Sequence, residues 1–353
     1  MKKVGLYSLT KPKEIANDWI IILDESVEFG KHKLLVIYGV RASQIDFTRP
    51  LRFNDIIPLK EVSKDKWDAA EIKILLDELK KELGNIIYAV ADNGNSIRKA
   101  LELASIAHVY DITHKIAWIL RNMYAKDEDY MKYTKILAKM RGTMCLSKIS
   151  HILPPKLAVK SRFMNLKPIA NWGNSALEYL SREKHNNSKE YEALKWVKEF
   201  DVFIKEILCL NQIIEKIETI LKNNGLTEKT LHDCMNVFKA QQGINNRVDS
   251  FIESLKDYLI NTKQMLSKEE KVLCTSDIIE SSFGKYKNYL SKNQMIGITN
   301  LSLCISAFTS NIENNDIKNA MEQIQVKDIE KWTKSNIGKT LLSERKTILR
   351  KTG

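Results

Sequence analysis

Two aspartates stand at places in the sequence where carboxylates could bind a divalent cation. Asp24 follows a continuous apolar run at residues 19–23, and Asp92 follows another at residues 86–91. Both runs are typical of buried strands, and a carboxylate at a strand end can meet solvent or a metal ion without being buried inside the sheet. Adjacent parallel strands would bring both carboxylates to one end of the sheet. A structural role stays open, because aspartate is common in strand-end turns and at helix N-caps.

A third acidic residue, Glu280, lies in a segment with the periodicity of a helix. Residues 275–290 place four apolar side chains on one helical face, which would pack against the sheet: Ile279, Phe283, Tyr286 and Leu290. Glu280, Gly284 and Lys287 fall on an adjoining face, and two helical turns, roughly 10.5 Å, separate Glu280 from Lys287. A carboxylate and a lysine at this spacing suit a metal site beside a phosphate backbone. The pair Asp277 and Glu280 also resembles a capping pattern, which would make Glu280 structural.

The elements that would position these acids form an α/β pattern. Apolar or alternating runs predict strands at residues 19–23, 33–40, 52–62, 86–91 and 107–110. Helical periodicity predicts helices at residues 68–83, 96–104 and 112–124. Pro58 interrupts the third strand, which suits the edge of a sheet. Three strands and a helix, followed by strand–helix–strand–helix, predict a mixed sheet.

The middle of the chain is predicted to be helical throughout. From about residue 125 to residue 271 no convincing strand is found, and long helical patterns run over residues 190–223 and 246–265. The predicted organisation is therefore a catalytic domain in two parts. Residues 1–124 form the first part, residues 125–271 an all-helical insertion, and residues 272–353 the returning catalytic helix with a basic helical tail.

Composition excludes several classes of protein. The chain has 353 residues, 44% of them hydrophobic, which is enough for a substantial core and too many for general disorder. No run reaches the roughly 18 apolar residues of a membrane helix, and no apolar leader follows the N-terminal lysines. The five cysteines lie far apart without a Cys-x-x-Cys pair, which argues against a disulfide framework and a structural zinc site.

Basic residues are concentrated in one stretch of the predicted insertion. Lys and Arg number 56 against 44 Asp and Glu, which gives a net charge of +12. Nine of the cations, and no acid, fall within residues 131–172: Lys132, Lys135, Lys139, Arg141, Lys148, Lys156, Lys160, Arg162 and Lys167. A solvated helix face normally mixes both signs of charge. This stretch is therefore predicted to contact a DNA backbone, because clustered cations release counterions when they bind phosphate.

The order of these features resembles the catalytic domain of DDE transposases, which has an RNase H-like fold. The likeness extends to those members, such as the hAT group, with an all-helical insertion between the fifth strand and the last catalytic helix. The matching stretches are residues 22–26, 91–100 and 276–287. In that family one Asp lies on the first strand, a second follows the fourth strand, and a Glu lies on a helix beyond the insertion. The resemblance therefore implies that Asp24, Asp92 and Glu280 are the catalytic acids.

One further motif of the hAT group is matched in part. Those proteins carry Cys-x-x-His just after the fifth strand, where this chain has Asp-Ile-Thr-His at residues 111–114. His114 would then help to order the site, or would only cap its own helix. Asp111 is a rival for the second catalytic acid, but Asp92 follows the stronger strand and lies in a glycine-containing turn.

The resemblance also implies contacts with DNA. Another transposase group has a Tyr-Arg-Glu-Lys motif whose last two members match Glu280 and Lys287, so Lys287 is implied to contact a phosphate. In several transposases a tryptophan of the insertion stacks on a base flipped out of the duplex, which Trp172 would do here unless it packs between helices. The expected DNA-binding residues are Lys287, Arg141, Lys148, Lys156, Lys160, Arg162, Lys167 and Trp172.

Three carboxylates at one site imply phosphoryl transfer with two metal ions. Oxygen ligands suit two Mg²⁺ ions, with Mn²⁺ as a substitute. Water would cut the end of a mobile element, and the freed 3′-hydroxyl would join it to target DNA. The expected function is that of a DNA transposase. Two alternatives stay open: an RNase H-like nuclease that does not join strands, and a truncated or captured transposase that only binds DNA.

The expected partners follow from that function. They are double-stranded DNA, both element ends and target, and a second copy of the chain on paired ends, with no membrane partner. Only about 18 residues precede the first strand, so a separate domain is expected to recognise the terminal repeats. The expected location is the cytoplasm, in association with the nucleoid. Heavy use of Lys, Asn and Ile indicates a bacterial genome rich in A and T, and the expected function implies that the gene belongs to a mobile element.

Overall fold

The chain divides into two compact units. A computed structural model describes residues 1–27, 32–157, 163, 166–182, 188–290, 297–309 and 312–349. The first unit comprises Met1–Asp111 with Leu273–Gly353, and the second comprises Ile112–Val272. The predicted domain boundaries, after residues 124 and 271, stay predictions, because compactness alone does not define a domain. No helix within the described residues is both long and apolar enough to cross a bilayer.

The first unit is built on a five-stranded sheet. Its strands are β1 (Ala16–Val27), β2 (Lys33–Arg41), β3 (Ile57–Lys64), β4 (Gly84–Ala91) and β5 (Ala107–Tyr110). They lie in the order β3-β2-β1-β4-β5. Strand β2 is antiparallel to β1 and β3, whereas β4 is parallel to β1 and β5. Pro58 therefore lies in an edge strand, as predicted, where its missing N–H breaks no central ladder.

Two helices cover one face of this sheet. The helices of residues 1–111 are α1 (Lys2–Thr10), α2 (Ala69–Leu83) and α3 (Asn95–Leu103). Helices α2 and α3 pack against β1 through side chains that alternate along the strand, Trp19, Ile21 and Leu23, all fully buried. Asp68 caps α2 by accepting a hydrogen bond from the Glu71 N–H, 2.8 Å.

The turn after α2 requires a glycine. Gly84 has φ of 91°, in the left-handed region that side chains disfavour. A Cβ there would also lie 2.6 Å from the carbonyl oxygen of Ala16. The helix therefore ends at Leu83, and β4 begins at once beside β1.

The second unit is helical. Its helices are α4 (Ile112–Tyr124), α5 (Glu128–Met144), α6 (Lys167–Leu180), α7 (Lys189–Leu194), α8 (Asp201–Asn224), α9 (Glu228–Lys239) and α10 (Asn246–Met265). Within its described residues the extended pairing is one isolated bridge between Leu226 and Val272. The pattern predicted as one helix over residues 190–223 is divided by a 3₁₀ segment, Lys195–Phe200, whose aromatic side chains pack on Tyr133.

The returning helices complete the first unit. They are α11 (Asp277–Leu290), α12 (Leu303–Phe308), α13 (Asn314–Gln323), α14 (Val326–Asn336) and α15 (Leu341–Leu349). Helix α11 packs on β1, and α12 packs on α1 and β3. Gly5 lets α1 approach α12 closely, because a Cβ there would lie 1.8 Å from the Leu303 carbonyl oxygen. The mixed sheet and the all-α segment between its strands and α11 confirm the predicted fold class.

A buried carboxylate lies where β3 meets α12. Glu61 is 2% exposed, and it accepts a hydrogen bond from the Ser306 hydroxyl, 2.7 Å. Its Oε1 atom has no partner among the described residues. Burial raises the pKa of Glu61 to about 7, more than the hydroxyl contacts lower it. This part of the fold is therefore most stable when Glu61 is protonated.

The Glu61→Gln substitution should remove a pH-dependent loss of stability. The pKa of Glu61 is about 7 in the folded protein and its ordinary value is 4.5, so the wild-type contribution is complete below about pH 4.5 and is lost as the pH rises through 7. The free energy of unfolding of the variant, relative to wild type, should rise by about 3 kcal/mol between about pH 5 and pH 8. Urea unfolding at both pH values measures this difference.

The exposed Glu102→Gln substitution is the matched control for this measurement, since its carboxylate is in solvent in both states. The difference in free energy of unfolding between Glu102→Gln and wild type should be the same at both pH values. A Glu61→Gln difference that also stays constant with pH would contradict the assignment.

Candidate active site

Three aspartates follow matched positions on three neighbouring parallel strands. In the sheet register Leu23 of β1 pairs with Ala91 of β4, and Ala91 pairs with Tyr110 of β5. The residues that come next on the three strands are Asp24, Asp92 and Asp111. Because β1 and β4 are adjacent and parallel, Asp24 and Asp92 lie at the same level of the sheet, where β4 ends. The prediction that Asp24 follows a strand end is wrong, because β1 continues to Val27 and Asp24 still pairs with Val36 of β2.

Backbone N–H groups orient the first two carboxylates. The N–H of Glu25 donates to Asp24 Oδ1, 2.7 Å, and the N–H of Gly94 donates to Asp92 Oδ1, 2.9 Å. The second contact is an Asx turn, which also leads the chain into α3. Both aspartates are half-buried, so each carboxylate is held by its own chain while it stays accessible from solvent.

Asp111 makes a different kind of contact. Its side chain is 1% exposed, and its Oδ2 accepts hydrogen bonds from the N–H and the hydroxyl of Ser276, at 2.6 and 2.9 Å. Ser276 directly precedes α11. The buried carboxylate thus fixes the start of the returning helix to the end of the sheet. This geometry favours Asp92 over Asp111 as the accessible second acid.

Two tyrosines extend the attachment of α11 across the sheet. Tyr88 of β4 accepts a hydrogen bond from the Leu273 N–H, 2.8 Å, and the Tyr38 hydroxyl of β2 donates to Ser282 Oγ, 2.7 Å. Burial raises the pKa of Tyr38, so its hydroxyl stays a donor at neutral pH. Helix α11 is therefore anchored at both β5 and β2, and it crosses the strands that carry Asp24 and Asp92.

Glu280 lies between these anchors, in the first turn of α11. Glu280 and Lys287 are both exposed and share one side of the helix. Among the described residues, no group of three or more His, Cys, Asp or Glu side chains is close enough to hold a metal ion. The catalytic and metal-binding roles of Asp24, Asp92 and Glu280 therefore stay predictions.

Two residues near Asp92 were not singled out from the sequence. His108 Nε2 lies 3.4 Å from the Ala91 carbonyl oxygen, and burial lowers the His108 pKa more than the nearby Asp92 carboxylate raises it. Burial, with the charges of Asp92 and Asp111, raises the pKa of Tyr110 to about 12. Both rings therefore stay uncharged at neutral pH. The predicted support residue His114 is half-buried in the first turn of α4, in the second unit.

The basic stretch separates into bound and unbound cations. Lys132 pairs with Glu128 at 3.2 Å, Lys167 pairs with Glu215, and the Arg141 guanidinium donates to the Pro154 carbonyl oxygen. Four lysines are exposed and have no hydrogen-bond or ion-pair partner within the described residues: Lys135, Lys139, Lys148 and Lys156. The predicted contacts Lys160 and Arg162 lie outside the described residues.

Trp172 is held within the second unit. Its ring stacks on Trp196 with the centroids 6.1 Å apart and an interplanar angle of 29°. Its indole N–H donates to the Ile152 carbonyl oxygen, 3.1 Å. These two contacts account for one ring face and the polar atom, and they favour helix packing, the second of the two roles expected from the sequence.

Comparisons with known proteins give a distant likeness of structure and no match of sequence. No protein-family model matches the chain. No curated protein is similar in sequence at a significant level. The chain is similar to the solved structure of a Drosophila P element transposase strand transfer complex, with a TM-score of 0.43 and 10% identity, over 91% of this chain and 81% of that chain. A likeness this distant carries no argument about activity, which must be argued from the site.

The Ser276→Ala substitution should loosen α11. It removes the hydroxyl donor to the buried Asp111 carboxylate and keeps the backbone N–H donor. Hydrogen bonds to charged groups contribute about 1.5–3 kcal/mol, and the free energy of unfolding should fall by that amount. Urea unfolding followed by circular dichroism measures the change. Ser281→Ala, an exposed serine on the same helix, should change stability by less than about 0.5 kcal/mol. Equal effects of the two substitutions would refute the anchoring role.

Proposed function

We propose that this protein cuts and joins DNA strands by metal-dependent phosphoryl transfer, as a DDE-type transposase. The observation that carries the proposal is the register at the end of the sheet. Asp24 and Asp92 directly follow a matched pair on adjacent parallel strands, and α11, which bears Glu280, is anchored across those same strands. Three acids that are far apart in sequence thus belong to elements that one sheet end brings together.

The donor chemistry fits Mg²⁺. All three proposed ligands are carboxylates, and hard oxygen ligands suit Mg²⁺ or Mn²⁺. Mg²⁺ keeps several waters and usually binds through one or two carboxylates together with substrate phosphates, rather than in an all-protein cage. An open arrangement of acids in the described residues is therefore compatible with metal ions that bind together with DNA.

Different residues of the chain would have different roles in the reaction. Backbone N–H groups hold one oxygen of Asp24 and one of Asp92, which fixes how these carboxylates face the end of the sheet. Exposed Glu280 would complete the ligand set, and Lys287, two turns further along α11, would hold a DNA phosphate. When bound, two Mg²⁺ ions would activate the attacking oxygen and stabilise the leaving oxygen of an in-line displacement at phosphorus.

The remaining expectations belong to the same proposal. DNA is the proposed partner, as element ends and as target, and a second copy of the chain on paired ends is proposed by analogy with the family. The exposed, unpaired lysines of the basic stretch would track the phosphate backbone. A cytoplasmic, nucleoid-associated location in a bacterium is part of the same proposal.

Neutralising each proposed metal ligand should abolish strand cleavage. Asp24→Asn, Asp92→Asn and Glu280→Gln remove charge without changing size. Metal ions contribute several kcal/mol of transition-state stabilisation, so each variant should lose roughly a thousandfold or more in rate. The assay incubates DNA carrying the sequences that flank the gene with Mg²⁺ or Mn²⁺ and separates the cut strands on a denaturing gel.

The control for these variants is Glu102→Gln, an exposed carboxylate at the end of α3, which should keep wild-type activity. Full activity of Asp92→Asn would overturn the assignment of the second acid. A second assay supplies pre-cleaved ends with a free 3′-hydroxyl. Joined products support a transposase, whereas cleavage without joining identifies a nuclease, and the absence of both leaves the protein a DNA binder only.

The exposed lysines should govern affinity for double-stranded DNA. Combined substitution of Lys135, Lys139, Lys148 and Lys156 by Ala should lower the slope of log affinity against log salt by about 3 to 4, since each phosphate contact contributes about 0.9. Fluorescence anisotropy with a labelled duplex measures the slope at several salt concentrations.

Two single variants complete this experiment. Lys167→Ala should have a smaller effect than any of the four, because Glu215 already pairs with its ammonium group. Lys229→Ala is the matched control, an exposed lysine on α9 of the same unit, and it should leave the slope unchanged. If Lys229→Ala weakens binding as much as the others do, the basic stretch is not the DNA-binding surface.

A further inference from the structure

The outer face of helix α4 combines an exposed tryptophan with cations. All six tryptophans of the chain lie in the described residues, and Trp118 alone is exposed, at 48%. Lys115 lies one turn before it and Arg121 one turn after it, so the three share one side of the helix. The 13 residues of α4 contain no acid.

This face is not needed to hold the second unit together. Helix α4 packs on α8 and α10, and its buried residues are all apolar: Ile112, Ile116, Ile119, Leu120 and Tyr124. An indole ring left in solvent forgoes the free energy of burial that Trp ordinarily gains. An exposed ring beside cations is a common feature of binding surfaces.

The two cations have different environments. The Lys115 ammonium lies 4.7 Å from the centroid of the Trp118 ring, a cation–π contact, and the carboxylate of Asp257 on α10 is nearby. Arg121 is exposed and has no hydrogen-bond or ion-pair partner in the part of the chain that the structure describes. Lys115 therefore orients the ring, whereas the Arg121 guanidinium remains available to an anion.

We infer that Trp118 and Arg121 form a binding platform for single-stranded DNA, on which Trp118 stacks an unpaired base and Arg121 holds a backbone phosphate. Aromatic rings stack on every base, and cations beside them bind the phosphates of the same strand. In a duplex the base faces are already stacked on one another, so a duplex offers this ring no partner. Charge complementarity with a polyanion selects nucleic acid over an apolar partner.

Trp172 does not offer a comparable surface. The Trp172 ring already stacks on Trp196, and its N–H is bonded within the unit. The inference rests on the proposed function for its biological meaning, because strand cutting and joining expose unpaired nucleotides. Its test measures binding alone and does not require cleavage.

The test compares Trp118→Leu with Trp118→Phe in the full-length chain. The probe is a labelled oligothymidine of about 15 nucleotides, within the range of about 4–16 that single-strand sites occupy. Trp118→Leu keeps an apolar side chain without a ring and should bind about tenfold more weakly, whereas Trp118→Phe should stay within about threefold of wild type. Circular dichroism melting checks that both variants are folded.

Two further readouts exclude a merely structural effect. Oligothymidine should quench the tryptophan fluorescence of the wild type, and this quenching should be largely lost in Trp118→Phe although the variant still binds. Arg121→Ala should lower the slope of log affinity against log salt by about 0.7, the single-strand value for one phosphate. Wild-type oligothymidine affinity of Trp118→Leu, or unchanged quenching in Trp118→Phe, would overturn the platform.

The test of the platform and the test of the proposed function can fail independently of each other. Asp24→Asn should bind oligothymidine as the wild type does, while it fails to cut DNA. If the wild type neither cuts nor joins strands but Trp118→Leu weakens single-strand binding, the transposase proposal fails and the platform stands. If the wild type cuts DNA and Trp118→Leu binds oligothymidine normally, the platform fails and the transposase proposal stands.

Discussion

The attachment of α11 to the sheet depends on one buried interaction, the Asp111 carboxylate with the N–H and hydroxyl of Ser276. A carboxylate at 1% exposure is costly unless its charge is met by hydrogen bonds, and Ser276 supplies two. The contact lies where the chain leaves the first unit and where it comes back. It therefore holds the start of α11, the helix that bears Glu280, beside the end of β5.

The acids of the candidate site divide into two kinds as a result. Asp111 is enclosed and holds structure together, whereas Asp24, Asp92 and Glu280 keep contact with solvent. Such a division is physically reasonable, because a group that must exchange ligands with substrate cannot also be fully committed to internal hydrogen bonds. The same distinction applies to the cations of the second unit, where some are paired with acids and others remain open to phosphate.

Sequence patterns predicted the helices and strands whose apolar periodicity can be read within the element itself. The bounds of β5, α4 and α10 agree with their apolar periodicity, and α2 ends at Leu83 as predicted. Helix α1 was missed because its nine residues have little amphipathic pattern and are stabilised by contacts with α12, α13 and α14, all distant in sequence. The anchoring role of Asp111 and the exposure of Trp118 were missed for the same reason, since tertiary neighbours decide which side of an element meets solvent.

The long insertion also sets the timing of folding during synthesis. Asp111 and Ser276 are 165 residues apart, so a ribosome adding roughly 5–20 residues per second makes all five strands roughly 8–30 s before α11 emerges. In that interval the sheet face that α11 will cover, including Ile22, Tyr38 and Tyr88, has no partner helix. The nascent protein must keep this apolar surface from associating with other chains until its C-terminal quarter arrives.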